Sequence, residues 1–173
     1  MLVIFGLMLV VLAIIAWEDY KFRAVHWWLF VLLFSGLGLV TFLNFGFRIS
    51  MERTMQNSVF VVLQVLSLSI YFSLKKGKRV NIFKGYFGLG DLCFLMAMSI
   101  YLPLLSYVLF YVGSLLLVIL VTVFRNAFLK QNSLKIPLAG YQAICLLMLM
   151  ILDYGHPGIN ICSENLLRNY FIG

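Results

Sequence analysis

Charge is what this sequence has least of. Lys, Arg, Asp and Glu together make 11% of its 173 residues, where an ordinary soluble domain carries about 25%. So few charges cannot coat a water-facing surface, which excludes a soluble globular fold. Acids are scarcest, with six in the chain: Glu18, Asp19, Glu52, Asp91, Asp153 and Glu164. The three cysteines, Cys93, Cys145 and Cys162, are too few and too scattered for a zinc site. Two of them lie inside apolar runs and are expected to be small packing residues. The opening residues lack the positive flank of a signal peptide, so the first apolar run is expected to remain as a membrane helix.

What is present is apolar: 64% hydrophobic residues and a mean hydropathy of +1.04. Six segments stand out, Leu2–Trp17, Trp27–Leu43, Ser58–Leu74, Tyr86–Leu102, Leu104–Phe124 and Ile136–Leu152. None alternates apolar with polar residues as the strands of a membrane barrel do. The expected fold is therefore an all-α integral membrane protein, a bundle of about six transmembrane helices forming one membrane-embedded domain over residues 1–173. The uncharged stretch Leu92–Phe124 would make a helix of about 50 Å, too long for a bilayer core of about 30 Å. Pro103 lacks the N–H that an unbroken helix needs, and the stretch is divided there. The helix before it then has to begin ahead of Asp91 to be long enough to cross.

The net charge of +7 is read as membrane topology, with no nucleic acid as partner, because the basic residues sit in short connections. Lys21, Arg23, Lys75, Lys76, Lys78, Arg79, Lys84, Arg125, Lys130 and Lys135 fall on one side; Arg48, Arg53 and Arg168 fall on the other. The first side is expected to face the cytoplasm, with both termini outside. This topology carries Asp19, at the end of the first helix, and Asp91, at the start of the fourth, to the same membrane face. Glu52, Asp153 and Glu164 fall on the opposite face and read as loop or tail charges.

An ionisable residue in apolar surroundings is costly and usually functional. Two carboxyls brought together hold one proton between them, so one serves as base and the other as acid. Such a pair can activate water against a peptide carbonyl with no metal or cofactor. Gly88 and Gly90 precede Asp91 in GLGD, and glycine lets another backbone approach closely; small residues there can equally serve helix packing in lipid. The histidines offer no better chemistry, since His26 and His156 fall on opposite faces, and His26 reads as an interfacial residue beside Trp27 and Trp28. A proton-coupled transporter would place acids at several depths, and the middle of the other spans carries none, apart from the polar Gln64 and Gln142.

Three elements in order resemble the type IV prepilin peptidases and the archaeal preflagellin peptidases, intramembrane aspartic proteases of the Gly-x-Gly-Asp class. DYKFRAVHWW places Asp19, Lys21, Arg23 and Val25 in register with the family's first aspartate motif. GLGD supplies the second, at Asp91, and KIPLAGYQA, with Ile136 and Pro137, matches a later Ile-Pro element. The resemblance implies catalysis by Asp19 and Asp91 and a cleft shaped by Gly88 and Gly90. Its implied substrate is a pilin-like precursor whose basic leader is removed at the cytoplasmic face of the inner membrane. The short connection Glu18–His26 leaves no room for the zinc-binding insertion associated with N-methylation in bifunctional members, so neither that activity nor zinc is expected. The chain departs from the family at His26-Trp27, where Pro-Asn is common, and at Leu92-Cys93, where Val-Lys is common. These departures keep open a non-catalytic scaffold or assembly factor of the same fold. Presenilin-like proteases share Gly-x-Gly-Asp but pair it with Tyr-Asp and Pro-Ala-Leu, and here the order is Asp19-Tyr20 and the proline element is Ile-Pro-Leu. The basic loop ahead of Asp91 is expected to meet anionic lipid headgroups.

Overall fold

The computed structural model describes residues 2–77, 88–129 and 138–155, and every regular element among them is a helix. In chain order these are α1 (Leu2–Phe22), α2 (Trp27–Lys76), α3 (Leu89–Met98), α4 (Leu104–Leu129) and α5 (Leu138–Gly155). Three contain stretches long and apolar enough to cross a membrane: Val3–Phe22, Trp27–Lys76 and Leu104–Arg125. Large apolar side chains point outward along all three, among them Val3, Leu39, Leu63 and Leu120. Apolar length together with apolar exposure suggests a membrane protein.

The described helices number five where six segments were expected, because the second and third segments lie on one continuous element. α2 nevertheless does not run straight. Gly46, at φ 81° and ψ 172°, breaks it into arms 27–45 and 47–76, in a backbone region that is essentially glycine-only. A straight helix would hold Phe30 and Gln64 about 50 Å apart. Instead Phe30 lies beside Gly90, and Gln64 bonds to Tyr111, which is within electrostatic reach of Asp91. Both arms thus return to the start of α3, and the chain reverses at Gly46.

The expected loop around residues 44–57 is almost entirely helical. Two of its polar residues, Arg53 and Asn57, are buried and bond to backbone carbonyls. Asn57 donates from Nδ2 to Ser99 O at 2.7 Å and to Leu102 O at 2.8 Å. Arg53, expected among the basic residues of the far side, is buried and donates to Tyr101 O at 3.1 Å; its guanidinium also stacks 4.3 Å from the Phe45 ring centre. A helix end leaves carbonyls without intrahelical donors, and these two side chains supply donors where α3 ends and α4 has not begun. Pro103 stands in that gap as expected, its carbonyl accepting from Tyr107 N–H at 2.8 Å.

The core is a seam drawn from all five helices. Leu12 and Ile15 come from α1, Leu29, Leu33 and Leu37 from α2, Phe94, Leu95 and Met98 from α3, Tyr107 from α4, and Ala143, Leu146 and Met150 from α5. Their spacings of three and four residues keep one face of each helix inward. α1 packs most extensively against α5. Met8 sits directly against Gly36, so the absent side chain there lets α1 and α2 approach.

Candidate active site

Asp19 and Asp91 come together at the N-terminus of α5. The Gly140 N–H donates to Asp19 Oδ2 at 2.5 Å, and the N–H of the preceding residue, Ala139, donates to the Asp91 carboxylate. Successive peptide nitrogens are joined by three bonds of at most about 1.5 Å each, so the bonded oxygens lie no more than about 10 Å apart. The two carboxylates also interact electrostatically. Asp19 is 8% exposed, while Asp91 is half-buried. One face of the pair therefore remains open.

Each element presents its acid for a local reason. Asp19 lies in the last turn of α1, where the helix dipole disfavours a negative charge; the N-terminus of α5, with its free N–H groups and opposite polarity, offsets that. Gly140 makes the approach possible. A Cβ there would stand 3.1 Å from Asp19 Cβ and 3.3 Å from the Ala16 carbonyl oxygen. Asp91 occupies the first turn of α3 and turns back to accept from the Gly88 N–H, the reciprocal half of a capping box. A Cβ on Gly88 would lie 2.7 Å from Asp91 Oδ2, so a side chain here would displace the carboxylate.

Gly90 differs. A Cβ there meets only Phe30 Cζ, at 3.9 Å, an ordinary contact that leaves the glycine without a packing requirement. Neither Gly88 nor Gly90 needs a positive φ. α3 begins at Leu89, two residues ahead of Asp91 and later than the expected Tyr86; residues 86 and 87 lie outside the described residues, as do Ile136, Pro137, His156, Cys162 and the basic residues Lys78, Arg79 and Lys84.

Around the pair stand groups that spacing alone did not single out. Ala139 and Gly140 supply the N–H donors, and backbone groups of this kind leave no side-chain signal in the sequence. Tyr111 is buried, bonds to Gln64 and lies within electrostatic reach of Asp91; Phe60 packs edge-on against it, ring centres 6.2 Å apart. Arg23 follows α1 in the left-handed region, φ 52°, uncommon for a residue with a side chain, and its charge acts on Asp19. His26 faces away. It pairs through Nδ1 with Glu18 at 2.9 Å and donates its N–H to the same carboxylate at 3.1 Å, so Glu18 closes the α1–α2 connection. Cys93 is exposed. Among the described residues no group of three or more His, Cys, Asp and Glu side chains is arranged to hold a metal.

No protein-family model, curated protein or solved structure matches the chain.

Proposed function

We propose that this chain is an intramembrane aspartic endopeptidase that removes the basic leader from type IV prepilin-like precursors. The observation that carries the reading is the meeting of two carboxylates, remote in sequence, on consecutive N–H groups of one helix end in an otherwise apolar bundle. That placement supports a shared proton. The ionised carboxyl draws a proton from a water molecule lodged on the open side of the pair. The water oxygen then attacks the peptide carbonyl carbon, and the protonated carboxyl gives its proton to the carbonyl oxygen. In the second half the C–N bond breaks, the carboxyl that took the water's proton delivers it to the leaving nitrogen, and the other carboxyl takes back a hydroxyl proton as the carbonyl re-forms, which restores the singly protonated pair. Ala139 and Gly140 hold both carboxylates through this exchange, and the N-terminal dipole of α5 favours the negative charge the pair retains.

In the same reading the two arms of α2 count as separate crossings, giving six with α1, α3, α4 and α5; of these α3, ten residues and about 15 Å long, covers only part of the bilayer thickness. The chain lies in the inner membrane with its site toward the cytoplasm and its termini outside, as the bias of basic residues suggests.

The test is a cleavage assay on co-expressed pilin-like precursors. Asp19→Asn and Asp91→Asn, each at wild-type abundance, are expected to lower the rate by at least about 10²-fold. Processing that survives both changes sinks the aspartic mechanism. One observation favours a second reading. Both carboxylates already clasp helix ends, and Asp91 caps α3, so a non-catalytic scaffold could keep them for structure alone. In that case wild type processes nothing and Asp→Asn variants assemble normally.

A further inference from the structure

Gln142 is a polar residue that the catalytic pair does not use. It sits on α5, three residues after Ala139 and on the same face, fully buried. Helical side chains lean toward the N-terminus of their helix, here the end that holds Asp19 and Asp91. Its Nε2 donates to Ser114 Oγ over 3.4 Å, a long bond, and the Ser114 hydroxyl is itself donated to Tyr111 O at 2.9 Å. Its Oε1 has no partner. A buried amide oxygen left without a donor is costly, and an apolar side chain would fill the place without that cost.

A substrate helix has to unwind for its peptide bond to be cut. In apolar surroundings the freed backbone N–H groups then need acceptors. The carboxylates are engaged by Ala139, Gly140 and Gly88. The other buried side-chain acceptor without a partner among the described residues, Asn57 Oδ1, lies at the far end of α3, beside Ser99 and Leu102.

We infer that Gln142 is a substrate-positioning residue whose side-chain oxygen accepts a backbone N–H of the extended peptide lying across Asp19 and Asp91. The inference rests on the peptidase reading and adds to it the residue that holds the substrate strand.

The experiment uses the full chain in lipid nanodiscs and a synthetic peptide carrying lysines, a glycine and then an apolar helix. Backbone amides flanking the scissile bond are replaced one at a time by esters, which removes a single N–H. In wild type, one ester position is expected to raise KM about tenfold with kcat little changed. Gln142→Leu should raise KM for the all-amide peptide by a similar factor, and the ester should then cost nothing further, because both changes delete the same bond. Gln142→Met serves if the leucine variant does not fold. No sensitive ester position in wild type overturns the inference, as do an unchanged KM in the folded variant, a loss confined to kcat, or additive losses. Wild type that cleaves no such peptide overturns the peptidase reading and this inference together, whereas wild-type cleavage with any of those other outcomes overturns the inference alone.

Discussion

Gly88, Gly90 and Gly140 look alike in the sequence and differ in what surrounds them. Gly88→Ala puts a methyl 2.7 Å from Asp91 Oδ2, and the carboxylate has to swing away from its N–H donors. Gly140→Ala presses on Asp19 and on the Ala16 carbonyl, and a backbone oxygen cannot retreat as a side chain can. Gly140→Ala is expected to cost about 1–3 kcal/mol of stability, the usual range for overpacking, while Gly90→Ala is tolerated. Gly88→Ala should leave the fold nearly intact and lower the cleavage rate, since what moves is the acid and not a helix. Thermal melting in detergent read beside cleavage separates the three; a Gly90→Ala chain as impaired as Gly88→Ala would contradict this account.

α2 and α3 define each other at the scale of elements. The reversal of α2 depends on Gly46 holding a backbone conformation closed to other residues, so Gly46→Ala is expected to cost about 1–3 kcal/mol. Gly113, inside α4 with open space around it, is the control, and Gly113→Ala should be neutral or mildly stabilising. The other device is the pair of donors that the second arm offers to the end of α3. Asn57→Leu strips the side-chain donor from the Ser99 and Leu102 carbonyls in a buried place, which is expected to cost about 1–3 kcal/mol per group left unsatisfied. Denaturation monitored by tryptophan fluorescence measures both effects, and an Asn57→Leu chain as stable as wild type would show that those carbonyls find other donors. Because this bolt lies at the opposite end of α3 from Asp91, its loss should lower stability more than it alters cleavage at matched folded fraction.

The whole molecule is a bundle whose ends differ in chemistry. One end gathers Asp19, Asp91, Tyr111 and the N-terminus of α5; beside it the α1–α2 connection exposes Trp17, Tyr20, Trp27 and Trp28, amphipathic rings suited to a membrane–water boundary. Lys21 stacks over Trp17 and Phe22 at 5.6 and 5.1 Å, keeping its charge at the same level. The other end holds Gly46 and the Arg53–Asn57 bolt. Cysteines introduced at Lys21 and Lys76, in a chain whose native cysteines are replaced by serine, should react with a membrane-impermeant thiol reagent from the same face. A cysteine at Arg48 should react from the opposite one. An unreversed α2 would put positions 21 and 76 on opposite faces, so this labelling tests the hairpin directly.

Class and outline were legible in the sequence because they follow from composition and length: too few charges for a soluble surface, apolar runs of helical length, and a proline dividing a stretch too long to cross once. The convergence of Asp19 and Asp91 was legible as well, since the order of the runs sends both to one face. The number of separate helices was not, because a single glycine can reverse the chain without a loop, and residues 47–57 look polar until their partners are known. Arg53 read only as one of the far-side basic residues for the same reason, since its acceptor lies on a turn far along the chain. Ala139, Gly140 and the clearance at Gly88 were equally hidden. A backbone N–H carries no side-chain signature, and it becomes a ligand for a carboxylate only when packing brings a helix end to it. The sequence by itself determined which groups could meet; only the tertiary structure decided which atoms hold them, because hydrogen bonds form over about 3 Å and spacing along a chain does not resolve distances that short.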